Sequence, residues 1–440
     1  MIINGPIDPE QFVKRACDGL DELLERGKQV GYCSNPVHLS IYDPETFGYP
    51  SFKEVPSASD FQKGDYYKRC GTRRAKLCKS CASLYKNDAR TLIRHGLDEA
   101  ILTENAHLAA FFTLTAPSFG KVHRATESGE TCHSKKGVCI HQQSLTCSKY
   151  HQVNDDVIGQ PLCDKCYDYE RAVIFNALSG QLWRRTTIYL SRNLAKILGV
   201  SVTTLKSNLE LNYVKVIEFQ RRGVVHVHGL LRATKISDSP NLNITWEQLC
   251  LAMQMTFRSV VLNFQTRSYG FEIRWGDQFD VRVIDVHSVK KVTNYLAKYA
   301  TKSSTDSWGL DHRVKSEEEI KQAKCNPHLK RLALTAYKLG SNPELESLGL
   351  SRWAHDLGHR GHFLTKSRQY SVTFTHLREL RKIWQIQNSE SETTSFDMES
   401  LYWVGGGWPY RVDRQIIRAA YDELEESRRL AAEEFGKEVM

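Results

Sequence analysis

The feature that most restricts the fold is a pair of β-rich runs, Val214–Gln220 and Val224–Leu231, separated only by Arg221-Arg222-Gly223. Branched and aromatic side chains favour strands. A three-residue loop ending in glycine is a recognised hairpin turn. The second run reads Val224-Val-His-Val-His-Gly-Leu-Leu231. Residues two apart on a strand share a face, so His226 and His228 project together while Val225, Val227 and the leucines anchor the strand in a core. If Gln220 pairs with Val224, then Glu218 lies opposite His226 and Val216 opposite His228. Opposed side chains sit about 5 Å apart on one face.

That register gathers one carboxylate and two imidazoles. Such a set can hold a divalent ion and leave positions open for water or a phosphate oxygen. Mixed nitrogen and oxygen ligation accepts Mg, Mn or another divalent ion. A bare His-x-His is more often just a solvent-facing strand. The opposed Glu218 and the apolar flanks favour the metal reading here.

About seventy residues later, Ser288–Lys302 reads as a helix containing Asn294-Tyr295-Leu-Ala-Lys298-Tyr299-Ala-Thr-Lys302. Tyr295 and Tyr299 are four apart and therefore neighbours. They lie where an apolar stripe (Val289, Val292, Leu296, Ala300) meets a basic face (Lys291, Lys298, Lys302). A tyrosine can attack phosphorus and conserve the phosphodiester energy in a covalent intermediate, and adjacent lysines would stabilise phosphate charge. Two such tyrosines alone are usually half-buried structural residues, and the preceding histidine hairpin is what raises their interest.

Other elements follow from periodicity. Residues 1–30 (Phe12, Ala16, Leu20, Leu23, Leu24), 86–106, 168–198, 245–264 and Arg411–Lys437 read as helices, the last one charged and solvent-facing or partner-binding. Ala109–Thr115 and Phe279–Val286 read as strands. Glu317–Glu319 and the polar stretch near 388–398 read as linkers or solvated faces.

Ten of the twelve cysteines precede residue 170, a clustering that favours metal sites over disulfides in a reducing compartment. Cys33, Cys70, Cys78 and Cys81 offer four thiolates for one structural zinc. Cys163-x2-Cys166 is a second knuckle. Its first-choice partners are Cys132 and Cys139, with Cys147 and His151 as the alternative and His133 and His141 also nearby. One or two structural zinc ions are expected. Cys17, Cys250 and Cys325 read as ordinary core or surface residues. His355, His359 and His362 read as a DNA-contacting or solvated segment rather than a metal site.

Composition sets outer limits. The 440 residues carry a net charge of +9, a sign compatible with phosphate binding but weak by itself. No apolar run approaches the ~18 residues of a bilayer span, and no secretory signal opens the chain. A soluble, cytoplasmic protein without a membrane partner is expected. No P-loop pattern is present, so any helicase would come from the host replication machinery.

Three motifs occur in the order found in HUH endonucleases, which the chain resembles: Phe111–Thr115, Glu218–His228 and Tyr295–Tyr299. More narrowly, it is similar to rolling-circle replication initiators of actinobacterial plasmids and integrative elements. The strings carrying this likeness are Cys70-Gly-Thr-Arg-Arg, Thr113–Phe119, Pro161–Asp168, Trp183-Arg-Arg and Arg352–Ser367. The resemblance implies an α+β fold with a central antiparallel sheet flanked by helices, the histidine strand in its middle. Added to it are a zinc-stapled N-terminal segment, a zinc insertion and a mostly helical C-terminal region. It suggests an N-terminal zinc region over 1–105, an endonuclease domain over 106–305 with an insertion near 120–170, and a C-terminal, possibly DNA-binding region over 306–440.

The resemblance also implies a reaction on single-stranded origin DNA. A divalent ion on Glu218, His226 and His228 polarises the scissile phosphate. Tyr299 attacks to give a 5′-phosphotyrosine and a free 3′-hydroxyl. Tyr295 serves the terminating transfer, and Lys298 and Lys302 hold the phosphate. Thr113, Thr115, Arg221 and Arg222 are expected DNA contacts. Two other readings stand beside this one: a two-tyrosine single-strand transposase, and a zinc-containing DNA-binding regulator without catalysis.

Overall fold

A strand with a two-residue period needs a sheet, and the chain builds one of five antiparallel strands around the histidine hairpin. The computed structural model describes residues 19–41, 66–102, 108–126, 130–236, 243–284, 287–301, 310, 312–387, 401–406 and 411–438. Its helices are α1 (Leu20–Gln29), α2 (Lys79–Leu102), α3 (Tyr169–Ile197), α4 (Val202–Asn208), α5 (Trp246–Ser259), α6 (Val289–Thr301), α7 (Glu317–Gln322), α8 (Pro327–Leu339), α9 (Phe374–Gln387) and α10 (Arg411–Glu438). Its strands are β1 (Val37–Ile41), β2 (Tyr66–Lys68), β3 (Leu108–Leu114), β4 (Leu209–Phe219), β5 (Val225–Lys235), β6 (Val261–Gln265), β7 (Gly270–Arg274), β8 (Phe279–Val283), β9 (Leu364–Lys366) and β10 (Leu401–Gly406). The architecture is α+β.

Residues up to Asp88 together with those from Phe374 onward form one compact unit, and Ala89–Thr373 form the other. In the larger unit the strand order is β8-β3-β5-β4-β9, which puts the histidine strand in the middle. The hairpin register is the one derived from the turn: Glu218 faces His226 and Val216 faces His228. The Gln220 N–H donates to the Val224 carbonyl at 3.0 Å. Gly223 closes the turn at φ 74, a left-handed conformation that only glycine adopts without strain.

The sheet has two unlike faces. Val225, Val227 and Leu231 of β5 join Phe112, Trp183 and Phe257 in the main core. Gly229 is required there, because a Cβ would lie 2.3 Å from the Phe112 ring. That ring stacks on Trp183 with centroids 5.3 Å apart. The fully buried amide of Asn176 on α3 ties the turn to this core. Its Nδ2 donates to Gly223 O and Leu357 O, and its Oδ1 accepts from Val225 N, each at 2.9 Å. The opposite face carries His226, His228 and Glu218, with α6 packed over β4.

Some sequence expectations change. Helix α5 starts at a Thr245/Gln248 capping box but ends at Ser259. The β-branched Val260-Val261 turns the chain extended, and Val261–Gln265 pairs with Gly270–Arg274. Buried α6 positions are Val289, Thr293, Leu296, Ala297 and Ala300, so Thr293 replaces Val292 in the stripe. His359 is not solvated: it is 2% exposed, with Nδ1 3.2 Å from Asn176 O and 3.3 Å from Ser179 Oγ. It is a core histidine, while His362 is exposed. Glu317–Glu319 form the first turn of α7, capped by Ser316. Phe12, Ala16, Cys17, Lys302 and the 388–398 stretch lie outside the described residues.

In the smaller unit, β10, β1 and β2 form a three-stranded sheet. The charged α10 is not polar all round. Val412, Ile416 and Ile417 share a core with Leu23 and Val30 and with Cys33, Cys78 and Cys81. Among the described residues no helix is long and apolar enough to cross a membrane.

Candidate active site

The site is assembled on the face of the sheet that α6 covers. His228 is 4% exposed. Its Nε2 lies 3.3 Å from Glu218 Oε2, and its Nδ1 lies 3.2 Å from the Thr113 hydroxyl. Thr113 is the β3 residue paired with His228. The two contacts fix the ring plane and divide the two nitrogens between two partners. The His226 ring stands nearly perpendicular to that of His228, centroids 4.5 Å apart. Burial, then the charge of His228, draws His226 down to about 4, with Glu218 acting in the opposite direction. His226 is therefore a neutral imidazole at neutral pH.

The donor set can be tested for a metal. The Nδ1 of His226 is buried and without a hydrogen-bond partner, an unusual cost for a polar atom unless something binds it. Two imidazoles and a carboxylate suit a divalent ion such as Mg or Mn. Glu218, His226 and His228 are not among the groups whose donors all close to within 4.8 Å.

Tyr295 and Tyr299 lie over these ligands. The Tyr299 ring is 4.9 Å from that of His228, Tyr295 is 5.3 Å from it, and the two tyrosines are 4.6 Å apart. Phe111 supports Tyr295 edge-on at 5.8 Å. Burial raises the Tyr295 phenol above its usual range, as do the hydrogen bond with Tyr299 and the negative Glu218; Arg282 opposes them. Tyr295 is 38% exposed, and Lys298 beside Tyr299 is exposed.

Beyond this face lies a cleft of about 810 Å³, in the size range of ligand sites. It is bounded by Thr115–Ser118, by Lys121–Ala125 of the insertion, by Gln220–Arg222 and by Arg274–Gln278. Lys121, Arg124, Arg221, Arg222 and Arg274 outnumber the single acidic residue, Asp277, in its lining. Gln220 is two residues beyond Glu218 and Thr115 two beyond Thr113, so the cleft continues the rows that carry the site.

The expected DNA contacts have diverse surroundings. Arg222 is largely consumed by structure: it donates to Gln220 Oε1, Pro117 O and Ala116 O at 2.8 to 2.9 Å. Arg221 is exposed and donates to Asp155 O at 3.2 Å. The Thr115 hydroxyl donates to Gln278 O. Thr113 serves His228. Lys121, Arg124 and Arg274 were missed by the sequence reading, because their cleft exists only once three distant turns meet.

Three cysteine-bearing groups bring four donors each within 4.8 Å and can hold zinc. Cys33, Cys70, Cys78 and Cys81 form the first, as expected. Cys33 Sγ is 3.8 Å from Cys78 Sγ and 3.6 Å from Cys81 Sγ. Backbone N–H groups of Cys70, Ser34 and Cys81 point at the sulfurs. The other two correct the first-choice partners of the second knuckle. Cys132 does not join Cys139, Cys163 and Cys166. It lies with His123, Cys147 and His151, while His141 completes the group of Cys139, Cys163 and Cys166. Antiparallel bridging of His133 with Cys147 draws Cys132 away from Cys139.

An antiparallel sheet bearing this site, beside a cationic cleft, belongs to a chain that is similar to replication initiators. Residues 19–422 match the family described as replication initiator protein, pSAM2, and the chain belongs to that family. A replication initiator protein from Streptomyces ambofaciens is 32% identical over 405 residues, covering 87% of this chain and 84% of that protein. No solved structure matches.

Proposed function

We propose that the chain starts rolling-circle replication by nicking single-stranded origin DNA through a tyrosine, in the manner of HUH endonucleases. The observation that carries this reading is the contact of both tyrosine rings with His228, Tyr295 edge-on and Tyr299 tilted, on the same sheet face as Glu218 and His226. A nucleophile, three ligands and a basic cleft meet there, as attack on a phosphodiester requires.

Glu218, His226 and His228 would hold a divalent Mg or Mn ion, which when bound supplies Lewis-acid polarisation of the scissile phosphate. The Tyr299 oxygen attacks phosphorus and loses its proton. The bond from phosphorus to the 3′-oxygen breaks, and that oxygen leaves as a hydroxyl after gaining a proton. The 5′-phosphate stays on Tyr299, and the free 3′-hydroxyl primes synthesis. Tyr295 makes a second attack of the same kind at the end of a round, and the 3′-hydroxyl it frees attacks the phosphorus on Tyr299, rejoining the strand and releasing that phenol. The exposed Lys298 offers charge to the phosphate, and Lys302, outside the described residues, is proposed to do the same. The strand runs through the cleft past Lys121, Arg124 and Arg274, with Thr115 and Arg221 at its edge. Family membership supports origin DNA as the partner, and a host helicase would open the duplex.

The test is a nicking assay on end-labelled single-stranded origin DNA, with adducts resolved on a denaturing gel. Tyr299→Phe is expected to abolish the covalent adduct. His228→Ala should lose nicking while still binding DNA. Nicking that survives in the double variant Tyr295→Phe/Tyr299→Phe would overturn the mechanism.

A further inference from the structure

We propose that residues 121–167 are a cross-braced module built on two zinc ions. One ion sits on His123, Cys132, Cys147 and His151, the other on Cys139, His141, Cys163 and Cys166. In chain order the ligand pairs alternate: the first and third pairs serve one ion, the second and fourth the other. Each ion therefore closes a loop that contains ligands of its neighbour.

The segment lacks other means of holding itself together. Among its described residues regular pairing is limited to three isolated bridges. Val138, Ile140 and Val153 are 68%, 91% and 71% exposed, and only the module's ends, Val122 and Tyr167, pack on the main core, so the stretch between them has no apolar core of its own. From residue 130 to 166 the buried positions are Cys132, Cys147, His151, Gly159 and Cys163. Four of these five are the proposed ligands. A segment whose interior consists of metal donors folds with its metal.

The donor spacing fits tetrahedral zinc. Bond lengths near 2.0 Å to nitrogen and 2.3 Å to sulfur give tetrahedron edges of about 3.3 to 3.8 Å. His123 Nδ1 is 3.2 Å from His151 Nε2 and 3.8 Å from Cys132 Sγ, and Cys147 Sγ is 3.3 Å from His151 Nε2. In the second group His141 Nδ1 is 3.2 Å from Cys166 Sγ and 3.8 Å from Cys163 Sγ.

The surroundings are also those of ligands. His151 turns its other nitrogen to Asp155 Oδ2 at 3.3 Å, the carboxylate–histidine arrangement that orients a metal-bound imidazole. The Arg124 N–H points at Cys132 Sγ at 3.3 Å. The first ion would also set one wall of the basic cleft. His123 lines that wall between Lys121 and Arg124, and His133 Nε2 holds Val122 O at 2.9 Å.

Metal analysis and native mass spectrometry of the full chain test the count without any activity assay. Three zinc ions per chain are expected, one on the N-terminal cysteines and two in the insertion. Cobalt substitution should give thiolate-to-cobalt charge-transfer bands for a total of nine thiolates: four, two and three. Cys147→Ser should lose at least one ion, whereas Cys250→Ser should lose none. Two or fewer ions in the unaltered chain, or an unchanged count in Cys147→Ser, would overturn the proposal. The unaltered chain decides the matter even if the variant fails to fold.

Discussion

Thr113→Val separates two roles for one side chain. The sequence suggested a DNA contact, whereas the structure sets the hydroxyl 3.2 Å from His228 Nδ1. Valine keeps the shape and the strand preference but removes the oxygen. If Nε2 binds the ion, Nδ1 carries the proton and donates it to Thr113. Loss of such a partner typically costs 10- to 100-fold in metal affinity, about 1.4 to 2.8 kcal/mol. His228 is 4% exposed, so water does not readily replace the oxygen, and the orphaned N–H adds a stability cost of about 1 to 3 kcal/mol. The assay is Mn²⁺ titration, followed by electron paramagnetic resonance and by the nicking rate. The half-saturating Mn²⁺ concentration should rise by at least tenfold, with recovery of the rate at high Mn²⁺. Unchanged Mn²⁺ affinity with weaker single-strand binding would refute the positioning role and return Thr113 to the DNA.

Two further outcomes follow from the buried network behind the hairpin. Asn176→Ala strands Val225 N–H, Gly223 O and Leu357 O together, so urea unfolding should show a loss of about 3 kcal/mol or more; a loss below about 1 kcal/mol would mean that the amide does not hold the turn. His328 donates to Arg222 O through Nε2 at 3.0 Å, lies 3.1 Å from Tyr169 Oη, and is lowered to about 4 by burial. The unfolded chain binds the extra proton first as pH falls, so this stability is complete above about 6.5 and is lost towards 4. The total is about 3 kcal/mol, and His328→Gln should flatten that part of the pH–stability curve measured by thermal melting.

The parts of the site legible in the sequence were those governed by short-range geometry. A two-residue period and a three-residue turn suffice to pair Glu218 with His226, because nothing beyond the nine residues from Glu218 to His226 enters that argument. The same local logic set Tyr295 and Tyr299 on one helix face. The strand order was carried by the resemblance and not by periodicity, since no local rule says that β3 rather than β8 lies beside β5. The ends of α5 and β6 were blurred for a related reason: an apolar stretch such as Val260–Phe264 satisfies a helix period and a strand period equally well.

Metal ligands defeat local reasoning in a different way. The sequence expectation joined the Cys163-x2-Cys166 knuckle to Cys132 and Cys139, yet the bridge between His133 and Cys147 reverses the chain and trades Cys132 for His141. The histidines that complete both groups carry no signature alone: His123, His141 and His151 look no different in sequence from His359, which is buried against α3 beside Asn176 and Ser179. What distinguishes them is that two donors arrive from each of two crossing loops. The same principle explains α10. Its charges advertise a solvated helix, but its Val412, Ile416 and Ile417 edge completes the core around Cys33, Cys78 and Cys81, a contact between segments more than three hundred residues apart. If the Cys33, Cys70, Cys78 and Cys81 group holds zinc, chelation should open that edge of α10 to limited proteolysis before it disturbs the histidine hairpin.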